Sequence, residues 1–131
     1  MPHIVVDYSP NMEERVDMPA LCDLLRRTAI QTGVLPLAGV RVRAHGASHV
    51  SIADGSDTHG YIDISLRLRG GRDLATRKAA TKLIFDAAEA FLAPAMAQHS
   101  IALSFEMRDI DPDLSPKTGT IRDHLQEGPH D

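Results

Sequence analysis

The chain has 131 residues, of which 43% are hydrophobic and 24% charged, and this is the size and composition of one globular domain with a real core. Its formal net charge of −4, without any block of Lys or Arg, argues against a nucleic-acid-binding protein, which would need a basic surface. No apolar run approaches the ~20 residues that span a bilayer, the amino terminus lacks the segments of a signal peptide, and a single cysteine cannot form an internal disulfide, so we expect a cytoplasmic protein that does not bind membranes.

The first part of the chain predicts a strand, a helix and a second strand. The β-branched run at residues 3–8 is typical of a strand and ends at a Ser-Pro-Asn turn. Asp17 is placed to cap a helix that has Pro19 in its first turn, and Gly33 is placed to end it. The alternating segment VRVRAH at residues 40–45 then predicts the second strand.

The second part of the chain repeats this pattern. Residues 61–69 and residues 101–107 alternate between apolar and polar side chains, as strands with one buried face do. Between them, Asp73 is a candidate cap for a long helix that runs to about residue 97. Before them, residues 49–52 could add a further short strand. The long helix has an apolar stripe at helical spacing, formed by Ala80, Leu83, Ile84, Ala87, Ala88, Phe91, Leu92 and Ala95.

These elements predict an α/β (α+β) fold in which two β-α-β units form one four-stranded sheet with two helices on one face. Each connection is long enough to join parallel strands. We expect a single domain made of a first unit at 1–56, a second unit at 57–109 and a C-terminal arm at 110–131. The face of the sheet without helices carries polar and charged side chains, so we expect another subunit to cover it.

Pro2 and three arginines are the candidates for chemistry. If Met1 is removed, Pro2 presents a secondary amine, which can act as a base. Arg41 and Arg43 leave the same face of one strand, and Arg72 follows a Gly-Gly turn in the other unit. Guanidinium groups suit carboxylates, and their positive charge would lower the pKa of the amine, as a base acting near neutral pH requires. The alternative is that Pro2 is merely the second residue and that the arginines are solvated or paired with carboxylates.

Other kinds of site have little support in the sequence. No pair of histidines has the helix-based spacing of a zinc site, and with one cysteine we expect no metal. The Gly-Gly turn lacks the spacing of the common phosphate-binding loops. A Ser-His-Asp arrangement cannot be inferred from residues so widely separated.

Six segments carry a resemblance to a known family: MPHIVV at 1–6, TGVLPLAGVRVRAH at 32–45, ADG at 53–55, GGRDL at 70–74, IALSFEM at 101–107 and DPDLSPKTGTI at 111–121. Over nearly its whole length the chain resembles the 5-carboxymethyl-2-hydroxymuconate isomerases of the tautomerase superfamily. The resemblance implies a tautomerase-like homotrimer in which Pro2 is the catalytic base after removal of Met1. It further implies that Arg41 and Arg72 bind substrate, with a less defined role for Arg43.

The reaction that this resemblance implies needs no cofactor. The enol 5-carboxymethyl-2-hydroxymuconate becomes its 2-oxo isomer during bacterial degradation of homoprotocatechuate. The resemblance thus implies a small-molecule dicarboxylate or tricarboxylate as substrate. Three alternatives stay open: another tautomerase-superfamily activity on a small unsaturated or 2-keto acid, a trimeric homologue without catalysis, and a ferredoxin-like regulatory module that binds a small acid.

Overall fold

The computed structural model describes residues 1–126, in which two long helices pack on one face of a four-stranded mixed sheet. The strands are β1 (His3–Tyr8), β2 (Arg41–Gly46), β3 (His59–Arg69) and β4 (Ser100–Ile110). The helices are α1 (Met12–Arg15), α2 (Met18–Gln31) and α3 (Leu74–Gln98), with short 3-10 helices at Leu37–Gly39 and Ile121–His124. The predicted fold class is confirmed.

The order of the strands across the sheet is β2-β1-β3-β4. β1 runs parallel to β2, with His3 opposite Arg41, and antiparallel to β3, with His3 also opposite Arg67. β3 runs parallel to β4, with Arg67 opposite Arg108. As a result, β1 and β2 begin at the end of the sheet at which β3 and β4 finish. We call it the Pro2 end, because Pro2 immediately precedes β1.

Local signals in the sequence account for the bounds of the two long helices. The Asp17 side chain accepts a hydrogen bond from Ala20 N at 3.0 Å, and Asp73 accepts one from Thr76 N at 2.7 Å, so both predicted caps are confirmed. Gly33 follows α2 with a φ of 74°, a conformation that favours glycine. The single-turn helix α1 was not predicted from the sequence. Pro94 does not end α3, which continues to Gln98.

The core lies between the helices and the alternate side chains of the sheet. Fully buried side chains from the two central strands include Ile4, Val6, Ile62, Ile64 and Leu66. α3 packs on them through a stripe of one residue in four, namely Ala80, Ile84, Ala88 and Leu92. This stripe is narrower than the sequence predicted, since Leu83 is 42% exposed. In residues 1–126, no helix combines the length and the apolar character that crossing a membrane requires.

The prediction of a short strand at residues 49–52 is wrong. β2 ends at Gly46 on the edge of the sheet, so the residues after it have no neighbouring strand to pair with. The following loop is instead held by His59, whose Nε2 lies 2.8 Å from Asp54 Oδ1 and whose Nδ1 lies 2.7 Å from Ser100 Oγ. This Asp54–His59–Ser100 chain ties the loop to the beginnings of β3 and β4.

The boundaries predicted for the two units and the arm, 1–56, 57–109 and 110–131, stay a prediction. In the described part of the arm, the chain leaves β4 at Ile110, already at the Pro2 end of the sheet, and residues of 112–118 line a cavity there together with Met1. The last five positions of the predicted arm, 127–131, lie outside the described residues.

Candidate active site

The topology of the sheet brings basic side chains to the Pro2 end. Pro2 is buried at the start of β1 and lies beside the 3-10 helix that leads into β2. Arg41 begins β2, while Arg67 and Arg69 end the antiparallel strand β3. Because two strands begin where the other two end, residues far apart in the sequence surround one position, the amino terminus.

Two cavities of about 460 Å³ each meet at Met1. The first, which we call the Arg41 cavity, has Arg41, Lys117, Arg122 and Asp123 among its lining residues. The second, the Arg67 cavity, has His3, Arg67, Arg69, Ser115 and Lys117 among its lining residues. Both therefore share Met1 and Lys117, so a small acid bound in either one would lie close to the amino terminus.

The amino terminus lies in a positive field. The pKa of the Met1 amine is lowered from its ordinary value, first by burial, then by the Lys117 ammonium, and then by Arg41 and Arg72. The pKa of His3 is lowered as well, by burial and then by Arg67, Arg43 and Arg41. Two separate groups at this end of the sheet thus respond to neighbouring cations, of which Arg41 acts on both, and these cations would also favour the binding of an anion.

Arg41 and Arg43, predicted together, are placed differently. Arg41 lines the Arg41 cavity beside Met1, and its Nε is 3.4 Å from the carbonyl oxygen of Gly39. Arg43 lies one pleat further along β2 on the open face of the sheet, with its Nη1 3.2 Å from His3 Nδ1. Arg43 is exposed and lines neither cavity. Of the two, only Arg41 can contact a molecule bound in one of the cavities beside the amino terminus.

Arg72 is close enough to the amino terminus to lower the pKa of its amine, but its guanidinium is already hydrogen-bonded. Nη1 donates to the carbonyl oxygen of Arg69 at 2.8 Å, and Nη2 donates to that of Val34 at 2.7 Å. These bonds join the end of β3 to the loop that follows α2. Arg72 therefore holds two loops together at this end of the sheet and lines neither of the two cavities.

Lys117, Arg67 and Arg69 also line a cavity beside the amino terminus, and the sequence did not predict them as site residues. The position of the two arginines at the Pro2 end follows from the antiparallel pairing of β1 and β3, which no local pattern specifies. Lys117 approaches the amino terminus because the arm stays at the Pro2 end after it leaves β4. Its segment, DPDLSPKTGTI, was part of the family resemblance, and this was the one available signal. Within residues 1–126, no group of three His, Cys, Asp or Glu side chains is arranged to hold a metal ion.

Comparisons with known proteins identify the family. The model of the 5-carboxymethyl-2-hydroxymuconate isomerase family matches residues 2–125. A 5-carboxymethyl-2-hydroxymuconate Delta-isomerase of Escherichia coli is 33% identical over 121 residues, which cover 92% of this chain and 96% of that protein. A crystal structure of a 5-carboxymethyl-2-hydroxymuconate delta-isomerase superposes with a TM-score of 0.89 at 32% identity, over 99% of this chain and 96% of the other.

The fold extends to more distant tautomerases. A fused 4-OT wild-type symmetric trimer superposes with a TM-score of 0.65 at 16% identity, over 88% of this chain and 93% of the other. This likeness concerns the fold alone. The match over residues 2–125 and the identity to the Escherichia coli protein go further, and they confirm the predicted isomerase family. The chain belongs to the 5-carboxymethyl-2-hydroxymuconate isomerase family and has the tautomerase fold.

Proposed function

We propose that the chain converts 5-carboxymethyl-2-hydroxymuconate to its 2-oxo isomer, 5-carboxy-2-oxohept-3-enedioate, in the degradation of homoprotocatechuate. The observation that carries the proposal is the family match over residues 2–125. The positive field around the amino terminus supports it, because the substrate of such a reaction carries three carboxylates. The conversion moves one proton and rearranges double bonds, so it requires no cofactor.

Pro2 is the base in this proposal. Once Met1 is removed, the secondary amine of Pro2 begins the chain in a buried position at the start of β1. The cations that lower the pKa of the Met1 amine, led by Lys117 and Arg41, would act on the Pro2 amine one residue away. A lowered pKa leaves more of the amine unprotonated near neutral pH, and only the unprotonated amine can accept a proton.

The proton follows a balanced path from oxygen to carbon. The Pro2 amine takes the proton of the 2-hydroxyl group, and the negative charge spreads over the conjugated dienolate. The oxygen becomes the 2-oxo group, the double bonds shift, and the protonated amine returns the proton to carbon 5. Positive groups fixed near the developing negative charge lower the barrier, because the transition state carries more charge there than the substrate or the product does.

The three arginines have different roles in substrate binding. Arg41 is the best placed to hold a substrate carboxylate, since it lines a cavity with Met1 and its guanidinium makes only one long contact, to a backbone oxygen. Arg72 supports the site through its charge and through the two loops that it joins. Arg43 acts at a distance in this proposal, through its contact with His3.

We also infer a cytoplasmic homotrimer, in which neighbouring copies cover the open face of the sheet away from the Pro2 end. That part of the face carries basic and acidic side chains, among them Asp7, Arg43 and Asp63. Such a face can pair with a copy of itself, and a distant relative of the same fold forms a symmetric trimer. Sedimentation equilibrium should give three times the mass of the chain, and the mass of a monomer would contradict the trimer.

Ultraviolet absorbance tests the proposed reaction directly. The protein, shown by intact mass to lack Met1, is mixed with 5-carboxymethyl-2-hydroxymuconate, and loss of the conjugated enol is followed against a known isomerase of the family. We expect conversion faster than in buffer alone. No conversion under conditions in which the known isomerase works would overturn the proposal. Conversion of a different 2-keto acid only would assign the site to another tautomerase activity.

A further inference from the structure

The Arg67 cavity is set apart from the rest of the molecule by its charge. Its ten lining residues include His3, Arg67, Arg69 and Lys117, and no Asp or Glu. The chain as a whole has a formal net charge of −4, so a cavity lined by three cations and no carboxylate departs from the average of the surface. Such a cavity attracts anions and raises their local concentration.

Strand register explains how the basic side chains come together. Arg41, His3 and Arg67 stand opposite one another on β2, β1 and β3, so they form a row across the open face of the sheet. Neighbouring strands lie about 4.8 Å apart, so Arg41 and Arg67 leave the sheet two strand spacings from each other, on either side of His3. Arg69 follows two residues after Arg67 and therefore points to the same face.

The arginines of this cavity are not neutralised within the described part of the chain. The ion pairs found in residues 1–126 involve other basic groups, and neither Arg67 nor Arg69 has a carboxylate oxygen within the 4.0 Å of an ion pair. His3 accepts from Arg43 at Nδ1 when its ring is neutral, which leaves the proton on Nε2 as a further donor. The cavity thus offers several donors and no competing internal anion.

Met1 stands where the Arg67 cavity and the Arg41 cavity meet, since it lines both. Lys117 and Thr118 line both cavities as well, on the side of the arm. Removal of Met1 takes away the side chain between them. The two cavities would then form one elongated site, with the Pro2 amine near its middle and cations at both ends.

We propose that the Arg67 cavity is a second anion subsite, which binds a carboxylate at the end of the substrate remote from Arg41. This inference rests on the proposed function and adds which residues hold the second end of its substrate. Arg67 and Arg69 hold the remote carboxylate, and Lys117 contributes to both halves of the site. These residues determine specificity, whereas Pro2 alone exchanges the proton.

Calorimetric binding tests the subsite without any turnover. The probes are propane-1,2,3-tricarboxylate and malonate, a shorter dianion. Each is titrated into the protein without Met1. The variants are Arg67→Ala, Lys117→Ala and the gentler Lys117→Gln. The control is Arg108→Ala, which removes the next charge of the same row. Arg108 does not line the cavity, and its Nε lies 3.4 Å from Glu106 Oε1.

We expect the tricarboxylate to bind the Arg67 and Lys117 variants about tenfold more weakly than the unmodified protein, as the loss of a charged hydrogen bond predicts. Malonate, which is too short to reach both ends, should lose less affinity in Arg67→Ala. In the isomerase assay the loss from Arg67→Ala should appear in KM more than in kcat. Arg108→Ala should match the unmodified protein in every measurement.

Three results would overturn the subsite: no binding of the tricarboxylate to the unmodified protein, equal affinity in Arg67→Ala, or an equal loss in Arg108→Ala. Thermal unfolding of each variant shows that the comparison is made on folded protein. The test is independent of the isomerase assay. If the tricarboxylate binds as expected but 5-carboxymethyl-2-hydroxymuconate is not converted, the proposed function fails and the anion subsite stands.

Discussion

Gly39 lies against the ring of Pro2, so that a β-carbon added to Gly39 would be 2.9 Å from Pro2 Cδ. That separation is too short for two carbon atoms, and Pro2 Cδ belongs to a ring fused to the backbone, so the ring itself would have to move. We predict that Gly39→Ala displaces the amine and lowers kcat by about tenfold or more, since small misplacements of a reacting group are costly.

Gly70→Ala is the matched control for this substitution. A β-carbon at Gly70 would meet its nearest atom, in Asp109, at 3.5 Å, which is an ordinary contact. Gly70→Ala should therefore keep kcat close to that of the unmodified protein. Equal rates for the two variants would show that the position of Pro2 does not control turnover.

Arg41 and Arg72 should respond differently to replacement by alanine. Arg41→Ala removes a cation from the Arg41 cavity but only one long contact with the backbone, so kcat/KM should fall about tenfold or more while the free energy of unfolding hardly changes. Arg72→Ala leaves the carbonyl oxygens of Val34 and Arg69 without their donor, so it should also lower the free energy of unfolding by about 1–2 kcal/mol.

Urea unfolding and steady-state kinetics on the same preparations separate these two effects. Arg26→Ala serves as the control, because Arg26 pairs with Asp23 on the exposed side of α2. It should leave kcat/KM unchanged. A stability loss in Arg41→Ala as large as that in Arg72→Ala would contradict the roles assigned here.

The pH dependence of kcat/KM should report the charge of Lys117. The pKa of the Met1 amine is lowered by burial and then by Lys117, and the same charge would act on the Pro2 amine, which is the proposed base once Met1 is removed. Activity should thus rise with pH through the pKa of the amine and level off above it. Lys117→Ala removes the largest charge acting on the amine, so that pKa should rise and the acid limb of the profile should move to higher pH.

Arg108→Ala is the control for the pH profile, because it removes one positive charge elsewhere on the same sheet face. Its acid limb should coincide with that of the unmodified protein. A limb that stays in place in Lys117→Ala, or moves to lower pH, would show that Lys117 does not act on the base.

Two leucines of α3 test which side of the helix is buried. Leu92 is fully buried against the sheet, so Leu92→Ala should lower the free energy of unfolding by about 2–5 kcal/mol. Leu83 is 42% exposed, and Leu83→Ala should cost much less. Urea unfolding compares the two variants, and equal losses would mean that Leu83 is covered by another chain or that the helix is rotated.

The sheet and the long helices could be predicted because their signals are local. Alternation at residues 61–69 marks one buried face of a strand, and Asp17 and Asp73 cap helices through bonds to residues only three positions away. The predicted stripe of α3 was too wide at Leu83. Helical periodicity gives the direction of the buried side, but the neighbouring elements decide how much of it is covered.

The site could be predicted only in part, because it depends on contacts between distant segments. Pro2 and Arg41 were candidates from their residue types, and the structure brings Arg41 to the amino terminus. Lys117 reaches the same place because the arm that follows β4 stays at the Pro2 end, and Arg67 does so because β3 runs antiparallel to β1. The bonds of Arg72 to two backbone oxygens likewise follow from the loops that meet there.

The rate of isomerisation in two preparations that differ only at the amino terminus shows whether the Pro2 amine is the base. One begins at Pro2, and the other keeps one residue before it, with both masses verified. We predict that the first converts 5-carboxymethyl-2-hydroxymuconate and that the second loses nearly all of this activity, since its Pro2 nitrogen is an amide and cannot accept a proton. Equal rates in the two preparations would contradict a catalytic Pro2 amine.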